Sequence, residues 1–162
     1  MLPRFFTPDH IELLELLNEQ EVEFLLVGGI AVNYYGYPRS TGDVDLFYRA
    51  DEQNTARLYR ALHDFFGNGV PGLAGPEDLL KPNLILQFGL PPHRVDFINE
   101  ISGVDFDSAW KHRVMEQVEG QEVTVPIIDL EDLLSNKQAS GRAKDLDDFE
   151  YLRDIAQSKS DG

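Results

Sequence analysis

The sequence predicts an α+β fold, one mixed β-sheet with helices packed on it, in a single domain spanning residues 1–162. Three observations carry this. Helical and strand patterns alternate through the first 66 residues, strand patterns cluster between residues 83 and 127, and the chain closes on two helical stretches within 129–156. With 162 residues, the chain is long enough to bury one core without staples.

The elements follow in order. Thr7-Pro8-Asp9 is a helix start, with a capping hydroxyl, a proline at the first helical position and an acid facing the dipole. Ile11, Leu13, Leu14 and Leu17 then give one apolar face up to about Gln20. Phe24 to Val27 is a short continuous apolar run, the pattern of a buried strand, broken by Gly28-Gly29. Ile30 to Tyr35 reads as a short helix closed by Gly36, and Tyr37 to Gly42 as a loop. Val44 to Tyr48 is the next strand, Glu52 to Phe66 a helix, and Gly67 to Pro76 a Gly/Pro-rich loop. Asn83–Phe88 and Arg94–Ile98 form a hairpin across Gly89-Leu90-Pro91-Pro92-His93, and Val114–Val118 with Val123–Ile127 a second one. Helices over Leu130 to about Ala139 and Ala143 to Ala156 complete the chain, with Ser158 to Gly162 expected to fray.

Composition removes several function classes. There is no cysteine, hence no disulfide framework and no thiolate metal site. No stretch approaches the roughly 20 apolar residues of a membrane span, and no apolar run follows the N-terminus, so a soluble, cytoplasmic protein is expected. Acidic side chains outnumber basic ones 29 to 14, a net charge of -15. That disfavours a broad nucleic-acid face, which needs clustered Lys and Arg, while leaving room for a local basic patch. His10, His63, His93 and His112 are scattered without zinc-ligand spacing. Tyr34, Tyr35 and Trp110 suit the core better than a base-stacking role.

The chemistry is carried by acids placed in strands. In Asp43-Val44-Asp45 the two carboxylates point to one face of a strand, about 6.6 Å apart along the backbone. Like charges so placed call for a cation or a proton, and an oxygen-rich site suits Mg²⁺ or Mn²⁺. An Asp-x-Asp alone also fits an exposed strand edge or a turn. Asp96 adds weight because it lies between Val95 and Phe97 in a predicted strand, where an isolated carboxylate is costly. Either it faces solvent or pairs with Arg94, or it lies beside Asp43 and Asp45 on a neighbouring strand. In the second case three converging carboxylates make a two-metal site for in-line phosphoryl displacement. Gly28-Gly29, with thirteen residues (Ile30 to Gly42) separating it from Asp43, ends a buried strand and lets backbone N–H groups approach a phosphate.

Val27-Gly28-Gly29, Asp43-Val44-Asp45-Leu46 and Val95-Asp96-Phe97, in this order and spacing, resemble the signature of the nucleotidyltransferase superfamily that includes polymerase beta. Gly28-Gly29-Ile30-Ala31, Arg39-Ser40-Thr41, Lys137, Arg142-Ala143-Lys144-Asp145 and Asp148 extend the likeness, over about residues 22–152, to small bacterial members similar to abortive-infection toxins.

The resemblance implies a nucleotidyltransferase fold and transfer of a nucleoside monophosphate from a nucleoside triphosphate to an acceptor hydroxyl. Asp43 and Asp45 would hold the metal escorting the triphosphate, and Asp96 would complete the second metal site and serve as general base. Gly28, Gly29 and Thr41 would meet the phosphates, Arg39 would bind phosphate from its loop, and Lys137, Arg142 or Lys144 would neutralise the charge. Some of these residues have a second reading. Lys137 also suits a solvated helix position, Arg39 an anchor for its loop, and Arg142 and Lys144 helix ion pairs with Asp145, Asp147 and Asp148. The acceptor could be a small molecule, a tRNA end or a protein side chain. A toxin-like nucleotidyltransferase paired with an antitoxin is the alternative role for the same chemistry, and an antitoxin or a second copy of the chain could be a partner. A non-catalytic nucleotide-binding module and an Asp-x-Asp glycosyltransferase are the rival readings; intact Asp43, Asp45 and Asp96 count against the first, Gly28-Gly29 and Asp96 against the second.

Overall fold

The computed structural model describes residues 1–2 and 5–161. Its six strands form one mixed sheet in the order β3-β4-β2-β1-β6-β5. In chain order the elements are α1 (Pro8–Glu19), β1 (Phe24–Val27), α2 (Gly28–Tyr34), β2 (Asp43–Tyr48), α3 (Glu52–Phe66), a 3-10 helix (Pro76–Leu80), β3 (Ile85–Phe88), β4 (Arg94–Ile98), α4 (Phe106–Lys111), β5 (Val114–Gln117), β6 (Thr124–Ile127), α5 (Leu130–Ser140) and α6 (Ala143–Asp161).

The helix starts are written locally. Thr7 caps α1 in a reciprocal box, its hydroxyl accepting from the His10 N–H while His10 Nδ1 accepts from the Thr7 N–H, both at 3.2 Å. Asp51, Asp105 and Asp129 cap α3, α4 and α5 by accepting from the N–H three residues on. Gly67 and Gly141 close α3 and α5 in the left-handed conformation, with φ of 80° and 70°. Asn54, buried in α3, accepts from the Glu23 N–H and donates to the Glu23 and Arg49 carbonyls, so it ties the start of β1 to the end of β2.

The central strands are buried runs. β1 is buried at all four positions, since it lies between β2 and β6 with helices on the sheet. β1 and β2 run antiparallel, while β2 and β4 run parallel in the register Asp43↔Arg94, Asp45↔Asp96 and Phe47↔Ile98. Strand alternation therefore puts Asp43, Asp45, Arg94 and Asp96 on one face, and Val44, Leu46, Val95 and Phe97 on the other. Leu13 of α1 and Leu62 and Phe65 of α3 cover the apolar face beside Val95 and Phe88. α2 and α5 bring Gly28 and Lys137 to the charged face beside Asp45.

Both expected hairpins form, β3 with β4 and β5 with β6. Several boundaries differ from the sequence reading. α2 begins at Gly28 and ends at Tyr34, so the glycine pair is the first turn of the helix rather than a break before it. Asp43 is already in β2, because its backbone pairs with Arg94. β3 begins at Ile85, and Val118 and Val123 fall outside β5 and β6. The stretch 158–161 is the helical end of α6, not a frayed tail; Gly162 lies outside the described residues. The 3-10 helix and α4 occupy stretches the apolar pattern leaves blank: Leu79 alone is buried in the first, Ala109 alone in the second.

Candidate functional site

The site starts from the strand register. Asp45 and Asp96 are direct neighbours across β2 and β4, and Asp43 lies two residues from Asp45 on the same face. One oxygen from each of the three carboxylates lies within 4.8 Å of the others. Such an all-oxygen donor set is the chemistry of a hard divalent cation, so these residues fit Mg²⁺ or Mn²⁺. Burial, then the charges of Asp43 and Asp96, push the Asp45 carboxyl up to about 7. The face therefore holds more negative charge than its own surroundings balance.

Gly28 is required by this arrangement. Its φ is +69°, and a Cβ there would stand 2.0 Å from Asp45 Oδ2. Gly29 is equally crowded, since a Cβ would meet Thr41 Oγ1 at 2.4 Å. The glycine pair thus lets the start of α2 lie directly on Asp45 and Thr41. Val27, which precedes that helix, makes no side-chain capping hydrogen bond. Thr41 itself donates from Oγ1 to the Asp43 carbonyl at 3.2 Å, fixing the loop against β2.

Two clefts meet at Asp45. One, of about 320 Å³, is lined by Gly28, Gly29, Arg39, Thr41, Asp43, Lys137, Arg142 and Lys144. It gathers all seven residues expected from the sequence to meet phosphates. The second, of about 420 Å³, shares Gly28, Asp45, Lys137 and Arg142, then runs past Ile85, Ile98, Ile101, Glu100 and Asn136. One is basic and glycine-lined; the other has an apolar wall.

The basic residues differ in how free they are. Lys137 is buried, not a solvated helix residue, and binds Asp145 at 3.0 Å and Asp148 at 3.2 Å. Arg39 grips the fully buried Asp148 with two bonds, from Nε at 2.7 Å and Nη2 at 2.8 Å, and so anchors its loop to α6. Arg142 is exposed but reaches Asp145 at 2.9 Å. Burial alone would raise the Asp145 carboxyl; Ser140, Lys137 and Arg142 overcome it and hold the group down at about 2. Lys144 is exposed at the cleft mouth.

Two features of the site escape the sequence motif. Asp148 organises the Arg39 and Lys137 side chains from α6, and only its place in the C-terminal Asp pattern hinted at it. Arg94 donates from Nε to Asp96 Oδ1 at 2.8 Å, and from Nη2 to Asp96 Oδ2 at 3.1 Å and Asp43 Oδ2 at 2.9 Å. Pairing of Asp96 with Arg94 and convergence of Asp96 on Asp43 and Asp45 stood as alternatives in the sequence; the structure has both. Among the described residues, His112, Asp129 and Asp132 also bring ligating atoms within 4.8 Å. Capping of α5 and the His112–Asp132 contact at 3.2 Å account for that group.

No curated protein matches the chain. A family model described as nucleotidyl transferase of unknown function (DUF2204) matches residues 7–161, which include the glycine pair, all three aspartates and both C-terminal helices. A sheet that sets three carboxylates beside a glycine-lined cleft thus comes with a family match over nearly its whole length: the chain belongs to this nucleotidyl transferase family.

Proposed function

We propose that the protein transfers a nucleoside monophosphate from a nucleoside triphosphate to an acceptor hydroxyl, with Asp43, Asp45 and Asp96 holding Mg²⁺ or Mn²⁺. The observation that supports this best is the meeting of three carboxylates from two neighbouring strands, their oxygens within 4.8 Å, beside the glycine-lined cleft. A divalent cation bound there would neutralise triphosphate charge and favour ionisation of the acceptor hydroxyl.

The remaining chemistry falls to the chain's own residues. The first-turn N–H groups of α2 receive the β- and γ-phosphates, the Thr41 hydroxyl turns from the Asp43 carbonyl to join them, and Lys144 and Arg142 offset their charge at the cleft mouth. Lys137 sets the potential behind Asp45, from a position locked by Asp145 and Asp148. The acceptor oxygen attacks the α-phosphorus in line, the bond from that phosphorus to the bridging oxygen breaks, and pyrophosphate leaves. Asp96 takes the hydroxyl proton. The cleft lined by Ile85, Ile98 and Ile101 suits an acceptor or base with an apolar face. The net charge of -15 favours a small-molecule or protein acceptor over a polynucleotide. Among the described residues no helix is long and apolar enough to cross a membrane.

Incubation with each labelled triphosphate, Mg²⁺ and a cell extract tests the proposal. Label should pass to a new species with wild type and not with Asp43→Ala. Triphosphate binding by both proteins, with transfer by neither, would instead mark a non-catalytic nucleotide-binding module.

A further inference from the structure

The carboxylate face carries one internal cation. Among the described residues, Arg94 is the only basic side chain hydrogen-bonded to Asp43, Asp45 or Asp96. The register makes this unavoidable: Arg94 is the direct partner of Asp43 and stands two residues before Asp96 on the same face. Its guanidinium fork takes both oxygens of Asp96, while Nη2 also reaches Asp43. Lys137 cannot substitute, because Asp145 and Asp148 hold its ammonium. Gln87, opposite Asp96 on β3, offers Asp96 Oδ2 a neutral donor at 3.4 Å.

We infer that Arg94 is a latch on the metal site: its guanidinium takes the place of a divalent cation between Asp43 and Asp96, and a cation joining those two carboxylates must displace it. This rests on the reading of the three aspartates as metal ligands. Arg94 holds both oxygens of Asp96 and Oδ2 of Asp43, so a cation drawn to the same two carboxylates competes with the guanidinium for their charge. The latch keeps the carboxylates assembled and partly neutralised in the free protein, at the expense of affinity for metal alone. It releases when the competing metal arrives with further binding energy, as a metal–triphosphate does once the glycine-lined cleft holds the phosphates. Arg94 is thus a positioning residue that sets the order of loading.

The test uses the full chain, without nucleotide, and reads Mn²⁺ binding from the loss of the free-ion paramagnetic signal. Removing the competitor in Arg94→Gln should tighten Mn²⁺ binding by about two- to fivefold, the scale of one partly exposed ion pair. Arg94→Lys keeps a charge but loses the fork, so it should tighten binding by a smaller factor and covers the case of a poorly folded glutamine variant. Asp45→Asn, alone and combined with Arg94→Gln, should remove the binding. A purely structural arginine would lower the melting temperature on replacement and leave Mn²⁺ affinity unchanged or weaker. That result overturns the latch while Asp45-dependent binding preserves the metal site. Mn²⁺ binding that ignores Asp45 in both backgrounds overturns latch and metal reading together.

Discussion

Two acid-rich regions face each other across the clefts, and they differ in how their charge is balanced. On α5 and α6, the buried carboxylates of Asp145 and Asp148 are met by Arg39, Lys137 and Arg142 at 2.7–3.2 Å, and Asp145 is held down at about 2. On β2 and β4, one arginine pairs with Asp43 and Asp96, and Asp45 is pushed up to about 7. The first region is complete without a ligand and fixes the geometry of the loop and helices. The second is assembled but undercompensated, which is what the proposed cation site calls for.

The comparison breaks most sharply at Asp45. Asp45→Asn should lower nucleotidyl transfer by about a thousandfold or more, the scale of losing a metal ligand and its electrostatic stabilisation. It should nonetheless leave the metal-free protein as stable as wild type or more so at pH 8, measured by thermal unfolding, because it removes an uncompensated charge. The opposite holds across the cleft. Lys137→Met strands two buried carboxylates and should cost about 3–5 kcal/mol in urea unfolding.

Gly28 links the two faces, and Gly28→Ala should cost about 1–3 kcal/mol from its left-handed φ, before the clash with Asp45 displaces that carboxylate. Its transfer activity should fall further than its stability.

The pH dependence has a definite sign. An unfolded Asp45 titrates near 3.9, and the folded one at about 7. Between these values the folded protein holds a proton that the unfolded chain has released. This carboxyl's contribution to metal-free stability therefore falls as pH rises through the window and levels off above it. Mg²⁺ should raise the melting temperature more at pH 8 than at pH 6, and Asp45→Asn should erase the difference. The smallest effect belongs to Lys144, exposed and outside both charge clusters. Lys144→Ala should change stability by less than about 0.5 kcal/mol and raise the KM for triphosphate a few-fold.

Much of this was legible in the sequence because it depends on local pattern. The apolar run of β1, the amphipathic α3 and the two hairpins follow from periodicity. The shared face of Asp43 and Asp45 follows from strand alternation alone. What was not legible depends on register and on contacts distant in the chain. Nothing local states that Asp45 lies opposite Asp96, or that Arg94 reaches a residue 51 positions away. Lys137 reads equally well as a solvated helix residue until α6 brings Asp148 against it, and Arg39 divides between phosphate and anchor until the same residue claims it. α4 was missed because a six-residue helix with one buried side chain has no periodicity to detect, although Asp105 is a good cap.

The most direct measurement is Mn²⁺ binding, in the presence of a non-hydrolysable nucleoside triphosphate analogue, to wild type, Asp43→Asn, Asp45→Asn and Asp96→Asn. Carboxylates from β2 and β4 that share bound metal require each of the three variants to weaken Mn²⁺ binding or reduce its stoichiometry. If Asp96→Asn binds Mn²⁺ with wild-type affinity and stoichiometry, the strand that carries Asp96 takes no part in holding metal, and the shared site is contradicted.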